Sequence, residues 1–313
     1  MKTLIFGAGP LGSLYAYLLH KAGNDVTILA RNEHYKFLKE NGIILINEFR
    51  QEKTIEKINV VNSFNENDYY DLVIVLMRKN SVKDLLPTLS KNKKVPNFLF
   101  MGNNAYGFDE YLKFLPKEKI LFGFPGGGGT LKNHIAHFID SEKPNGKRMP
   151  ITLGEIDGTI KRRTIQIQNM FESSDVPVNI VEDIDGWLKY HAAYIVPLAG
   201  ALLKSGDNYK LANDKDTIRK YIRAVKEAGK VLTALGNKSQ LPTKIKSFNW
   251  NPEWVTIKIL SLVFKSKFAE IAMMMHVNAA KNEMLELGNE LITLKNRTLI
   301  KTQNLDELIS CIK

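Results

Sequence analysis

Short β-branched runs alternate with amphipathic stretches through the first half of the chain, and long helical periodicities take over in the second. Strand-like runs lie at residues 3–6, 25–29, 43–47, 58–61, 71–76, 97–101 and 120–124, with amphipathic segments such as 11–22 and 81–90 between them. That rhythm predicts parallel pairing in a doubly wound sheet, because parallel neighbours need a crossover connection. Two shorter runs, 151–153 and 178–181, are expected to extend the same sheet, with a helix over 158–171. From Asp183 onward apolar residues recur every three or four positions, at 184–203, 217–235, 254–264 and 268–294, which predicts helices. The expected organisation is an α/β domain at residues 1–181 and an all-helical domain, for substrate and dimerisation, at residues 182–313.

Composition narrows the field. At 313 residues, 44% apolar and 25% charged, the chain has the balance of a soluble globular protein and room for two cores. The longest apolar stretch, 257–264, is interrupted by Lys258 and is too short to span a bilayer. Met1-Lys2-Thr3 leads directly into a strand, so no secretory leader is expected. One cysteine, Cys311, excludes an internal disulfide and a cysteine-built metal site, and it fits a reducing cytoplasm. The net charge of +11 would suit nucleic acid, yet the lysines are scattered, without interleaved aromatics. An anionic small molecule is the expected partner instead, since a positive field favours it equally.

The chemistry begins at the first strand. Leu4-Ile5-Phe6 runs straight into Gly7-Ala8-Gly9-Pro10-Leu11-Gly12, a G-x-G-x-x-G that opens a helix. In such a fingerprint the first glycine permits the tight turn, the second lets backbone approach a pyrophosphate, and the third lets helix and strand pack closely. The helix N-terminus then presents N–H groups and a positive dipole end to the phosphates. A second strand ends about twenty residues on, as the fingerprint requires. The α/β domain is therefore read as Rossmann-type and as the site of a nicotinamide dinucleotide. Ala30-Arg31-Asn32 stands where an NAD-preferring protein usually places an acid, so Arg31 is expected to fork onto a 2′-phosphate and select NADP. Arg78-Lys79 and Asn103-Asn104 close two further strands at their carboxyl ends, where side chains face the ligand crevice. One of Arg78 and Lys79 is expected on cofactor phosphate, with the other on the surface; Asn103 is expected on the nicotinamide ribose or a substrate oxygen, a plain turn asparagine being the alternative. Phe124-Pro125 and the glycines 126–129 read as an anion-binding nest or as a mobile loop. His134 and His137 lack acidic partners in sequence, and no metal is expected.

The fingerprint, Arg31, Arg78, Asn103, Trp187-Leu188-Lys189 and Asn282-Glu283-Met284 together resemble the ketopantoate reductase family along the whole chain. The resemblance implies an NADPH-dependent enzyme with a Rossmann domain, a helical domain and an active site in the cleft between them. It implies that Lys189 donates a proton to the substrate ketone and that Glu283 hydrogen-bonds a substrate hydroxyl. Ala193 and Val196 or Pro197 stand where the family carries substrate-holding asparagines, and Ile271 stands near the place of its serine. His191 and His276 are additions, read as substrate contacts or as ordinary half-buried histidines, and an unbroken helix would put His276 and Glu283 on one face. Lys189 and Ala193 are expected on a face away from the core. The function read from this is NADPH-dependent reduction of a small 2-oxo acid or related carbonyl compound other than ketopantoate. A non-catalytic NADP(H)-binding protein sensing the cofactor pool is the alternative, and a homodimer is left open as the assembly.

Overall fold

The computed structural model describes residues 1–238, 248 and 250–312. It contains two compact units, one made of Met1–Gly102 and Phe108–Ile184, the other of Asn103–Gly107 and the chain from Asp185 onward.

In the first unit the strands are β1 (Lys2–Phe6), β2 (Asp25–Leu29), β3 (Ile43–Asn47), β4 (Glu52–Glu56), β5 (Asn59–Val61), β6 (Leu72–Val75), β7 (Phe98–Met101), β8 (Ile120–Phe124), β9 (Gly128–Lys132), β10 (Ile135–Ile139), β11 (Ile151–Glu155) and β12 (Val178–Ile180). Its helices are α1 (Pro10–Lys21), α2 (Asn32–Asn41), α3 (Lys79–Lys91), the short α4 (Asp109–Leu112) and α5 (Arg162–Glu172). Eight strands form one sheet in the order β12-β11-β8-β7-β6-β1-β2-β5. From β8 to β5 all pairs are parallel. Parallel sheets bury both faces, and Leu72-Val73-Ile74-Val75 and Phe98-Leu99-Phe100-Met101 are buried at every position. The β11 and β12 strands do extend this sheet, but β11 runs antiparallel to β8.

Two features of this unit depart from the sequence expectation. The strand Ile43–Asn47 does not join the main sheet. It belongs to a second sheet, ordered β4-β3-β10-β9. Gly42, at φ +76°, turns the chain out of α2 toward β3, and a Cβ there would crowd the backbone of Glu56 on β4. The glycine run is not a mobile loop, because Gly128 and Gly129 open β9. A Cβ on Gly127 would lie 2.7 Å from the Ile139 carbonyl oxygen, and one on Gly129 would lie 3.0 Å from Pro10 Cβ. These glycines let β9 lie directly on β10 and on the first turn of α1. Tyr15 of α1 secures the run by donating its hydroxyl to the Gly126 carbonyl at 2.9 Å.

The second unit comprises α6 (Ile184–Ser205, its first residue shared with the first unit), α7 (Asn208–Asn213), α8 (Lys215–Ala234), α9 (Glu253–Phe264), a π-helical stretch Ala269–Met275, α10 (His276–Ala279), α11 (Lys281–Lys295) and α12 (Gln303–Ser310). Its core gathers Tyr190, Leu202, Ile218, Tyr221, Leu287 and Leu308 around α6. The single helix expected over 268–294 is broken: Ala280, at φ −125° and ψ 29°, separates α10 from α11. No Gly or Pro marks the break, so the apolar spacing runs through it unaltered. His276 and Glu283 therefore do not share one helical face. No helix of the described residues is long and apolar enough to cross a membrane.

Candidate active site

Strand β1 ends at Phe6 and hands the chain to Gly7, whose φ of +122° is left-handed territory that only glycine enters cheaply. A Cβ on Gly7 would overlap the Leu76 carbonyl at the end of β6, and one on Gly12 would overlap the Gly7 carbonyl oxygen. Gly9 differs. It sits at the N-cap of α1 in ordinary extended backbone, no side chain caps the helix, no acid occupies the first turn, and a Cβ would meet nothing within 4 Å. Two glycines thus serve packing, while the third keeps a space open beside unsatisfied helix N–H groups. A phosphate-bearing dinucleotide fits that donor set.

Arg31 caps α2 at the carboxyl end of β2, with its guanidinium 5.7 Å from the centre of the Phe6 ring. It is exposed, and no carboxylate pairs with it among the described residues. Arg78 is likewise exposed, at the N-cap of α3, whereas Lys79 is buried with Nζ 5.3 Å from the Tyr111 ring centre. Of the adjacent cations, then, Arg78 is the one presented to solvent at the strand end. His34 was not singled out from sequence, since it belongs to no motif. Its Nε2 lies 2.8 Å from the Ala8 carbonyl oxygen, inside the fingerprint itself.

In the second unit, Lys189 is half-buried on α6. Its ammonium is bonded to Asp185 one turn earlier and lies 3.4 Å from Asn237 Oδ1. The other Asp185 oxygen is buried without a hydrogen-bond partner. Asp185 went unremarked in the sequence although its i,i+4 spacing to Lys189 was visible. Two residues of helix turn through about 200°, so His191 and Trp187 project away from Lys189. These two rings stack at 5.2 Å, with 5° between their planes. Burial, and secondarily the neighbouring His276, push the His191 imidazole down to about 3. His191 stays neutral at ordinary pH and is not an acid for the ketone. An unfolded histidine takes a proton near pH 6.5 that the folded one refuses, so this contribution to stability is lost as pH falls from about 6.5 toward 3.

The loop after β7 packs with these helices. Asn103, only 8% exposed, donates Nδ2 to Glu283 Oε1 at 3.2 Å, and its Oδ1 is buried with no partner. Ala105 N–H donates to Glu290 at 3.0 Å, and Asn104 Nδ2 donates to the Gly107 carbonyl at 2.7 Å. Glu290 stands seven residues after Glu283, two turns along the same face of α11, a signal that could have been read in the sequence. The structure brings together Asn103 with Glu283, Lys189 with Asp185, and His191 with His276. Ala193 and Val196 are 2% and 0% exposed within the core of the second unit, and Ile271 is buried at 2%. The expectation that Ala193 shares an open face with Lys189 is therefore corrected. Beyond Tyr190, α6 is apolar around most of its circumference, with Tyr194, Ile195 and Leu203 partly buried against the core.

A largely parallel sheet with a G-x-G-x-x-G turn after its first strand, joined to a helical unit, defines a class of two-domain proteins, and the comparisons narrow it. The ketopantoate reductase PanE/ApbA profile matches residues 3–142. A 2-dehydropantoate 2-reductase of Lactococcus lactis is 28% identical over 176 residues, covering 50% of this chain and 54% of the relative. One of Pyrococcus abyssi is 24% identical over 191 residues, 60% and 59% of the two chains. The chain thus spans little more than half the length of these curated relatives. A D-mandelate dehydrogenase, solved with NADH and anilino(oxo)acetate, superposes with a TM-score of 0.80 at 17% identity, covering 100% of this chain and 97% of that one. Residues 3–142 are thus similar to the ketopantoate reductase family, and the chain diverges widely in sequence from the relatives it matches. Lys189 and Glu283 both lie beyond the residues that the profile matches.

Proposed function

We propose that the chain is an NADPH-dependent reductase of a small 2-oxo acid or related carbonyl compound. The observation that carries this reading is the half-buried Lys189 ammonium, held by Asp185 and Asn237, in a chain whose first unit keeps an open phosphate cradle at Gly9. A dinucleotide held at the Gly7–Gly12 turn would supply the hydride that the carbonyl carbon takes up. As negative charge builds on the carbonyl oxygen, Lys189 stabilises it and passes a proton from Nζ, giving the 2-hydroxy acid; solvent returns the proton to the amine. Asp185 orients the ammonium. Glu283 and the unpartnered Oδ1 of Asn103 are acceptors for hydroxyl groups, and Nδ2 of Asn103, already donated to Glu283, fixes which end of the amide is available. The likeness to a D-mandelate dehydrogenase that binds anilino(oxo)acetate supports a 2-oxo acid as the substrate class. Steady oxidation of NADPH in a panel of 2-oxo acids tests the proposal, and binding without turnover of any member would favour a cofactor-sensing protein. That second reading draws on the apolar burial of Ala193, Val196 and Ile271, where the family's substrate-holding groups are expected.

Arg31 supports the choice of cofactor. NADPH is expected to bind at least about tenfold tighter than NADH, roughly 1.4 kcal/mol, within reach of one charge-assisted pair. Arg31→Ala should erase the difference, and calorimetric titration of both cofactors checks it. Equal affinities in the native protein would rule the role out.

Ketopantoate itself is expected to be a poor substrate. A site built on hydrogen bonds discriminates strongly once its partners are missing, and Ala193 and Val196 offer none. A kcat/KM for ketopantoate above about 10⁴ per molar per second, the ordinary enzyme range, would contradict this.

A further inference from the structure

A pair of histidines grips the dinucleotide loop, and nothing in the G-x-G-x-x-G fingerprint asks for them. His34 on α2 sets Nε2 2.8 Å from the Ala8 carbonyl oxygen and Nδ1 3.2 Å from Nδ1 of His134. The two rings stack at 5.3 Å with 15° between planes, and Phe37 stacks on His134 at 5.1 Å. His134 is placed at a cost. It follows Asn133 in the tight turn between β9 and β10, and both have positive φ, 48° and 67°. Glycine or asparagine is usual in such a turn, and a histidine held there costs about 1 kcal/mol or more. Strain of this kind, kept where a smaller residue would relieve it, points to a task for the side chain.

We propose that His34, fixed by His134, is a positioning residue for the dinucleotide cradle. A carbonyl oxygen only accepts, so Nε2 of His34 carries the hydrogen, and the neutral ring offers its Nδ1 lone pair to the Nδ1–H of His134. In a trans peptide the C=O and N–H point in opposite directions. Anchoring the Ala8 carbonyl on His34 therefore turns the Gly9 N–H away from the histidines and keeps a negative dipole end off the phosphate side. Ser13 Oγ, 3.5 Å from the same oxygen, is too distant to do this alone.

The space between the two Nδ1 atoms already holds the Nδ1–H of His134, so a proton added to Nδ1 of His34 sets two N–H bonds head to head. Burial pushes the His34 pKa down; the hydrogen bond to the Ala8 carbonyl opposes the shift, and the charge of His134 adds a smaller push in the same direction as burial. The titratable group bearing on His34 is His134, which in turn bears on Glu33, itself paired to Lys36 at 2.8 Å; the glycine loop contributes no ionisable side chain. The gripped loop thus takes up fewer protons than a released one, and affinity for the dinucleotide should fall as pH drops below about 6.5.

The inference rests on reading the first unit as a dinucleotide site, and the experiment separates the two. NADP⁺ is titrated calorimetrically between about pH 5 and pH 8 into the native protein, His34→Ala, His34→Gln and His134→Gly, with thermal melting of each. His34→Ala should bind about tenfold more weakly, and His34→Gln, whose amide can still donate to Ala8, within about threefold. The native protein should lose affinity in acid more steeply than His34→Gln, which shares only the titration of the cofactor's own phosphate, near pH 6. His134→Gly should bind several-fold more weakly while melting no lower, because glycine relieves the turn; a purely structural histidine would give the opposite pattern. Affinities of His34→Ala and His134→Gly within about twofold of native across the pH range would overturn the histidines' role and leave the cofactor site standing. No binding of NADP⁺ by the native protein at any pH would overturn the cofactor site as well.

Discussion

Replacing Lys189 by alanine or methionine is expected to lower turnover of the best 2-oxo acid at least about a hundredfold, the usual loss on removing a positioned acid. NADPH affinity should move by less than about twofold, since the ammonium acts on charge that exists only in the transition state. The structure sharpens the comparison between the two variants. Methionine preserves the aliphatic stem on α6 and removes the charge, so equal failure of both variants assigns the loss to the ammonium rather than to packing. Either variant strips Asp185 of its ion pair, and that carboxylate is about one-third exposed, so folding should suffer little. Asp185→Asn should fall between native and the lysine variants, lowering kcat more than it raises KM, because it leaves the ammonium in place but less well aimed. Single-turnover measurements with saturating NADPH read the chemical step directly. Turnover within a few-fold of native in both lysine variants would reduce Lys189 to half of a structural ion pair on α6. A native protein that oxidises NADPH with no carbonyl compound would sink the reductase reading before the lysine is reached.

The central sheet was legible in the sequence because its strands are buried on both faces and read as unbroken apolar runs, as at Leu72–Val75. The second sheet was not. Strand β4, Glu-Lys-Thr-Ile-Glu, lies on a sheet edge and shows solvent to both sides, so three of its five residues are charged and it has no apolar face. Strand β9 begins on glycines, which carry no periodicity and read naturally as a loop. Helix α2 escaped notice for the related reason that Leu38 is its one buried residue. In the second unit the spacing of apolar residues identified helices correctly but was blind to the break at Ala280, where the interruption is purely one of backbone angle.

The candidate site divides along the same line. Gly7, Gly9 and Gly12 were readable because a local turn needs them at fixed spacing, and Arg31 because it follows a strand end by position. Lys189 and Glu283 were reached only through resemblance, since a lone helical lysine has no local signature. His34, His134 and Glu290 act through contacts made across long sequence separations, and no window of sequence brings His34 and Ala8 or Glu290 and Ala105 together. The asparagine of the loop after β7 was anticipated, but its partner and the orientation of its amide were consequences of packing.

Gly12→Ala and Gly9→Ala, three residues apart in one turn, are expected to fail in different ways. The added methyl at Gly12 would overlap the Gly7 carbonyl oxygen and lie 3.1 Å from its carbon. Both are backbone atoms of the loop, so no side chain can rotate aside, and α1 must lift from β1. That helix buries Leu14, Tyr15, Ala16, Leu18 and Leu19, and displacing it should cost about 3 kcal/mol or more, the upper range for overpacking. For a chain of this size the melting temperature should fall by roughly 5–10 °C, and dinucleotide binding should be lost with the loop. At Gly9 the methyl enters open space in a backbone conformation that alanine adopts freely. Stability should change by no more than about 1 kcal/mol, the scale of an altered N-cap. Affinity for NADP(H) should nonetheless drop by about a hundredfold, roughly 2.7 kcal/mol, because the methyl occupies the place of the phosphate. Thermal melting and calorimetric titration of the two variants side by side read both effects. A Gly9→Ala protein that melts as native and binds NADPH as native would show that the open space beside Gly9 does not receive the pyrophosphate, whatever Gly12→Ala does to the fold.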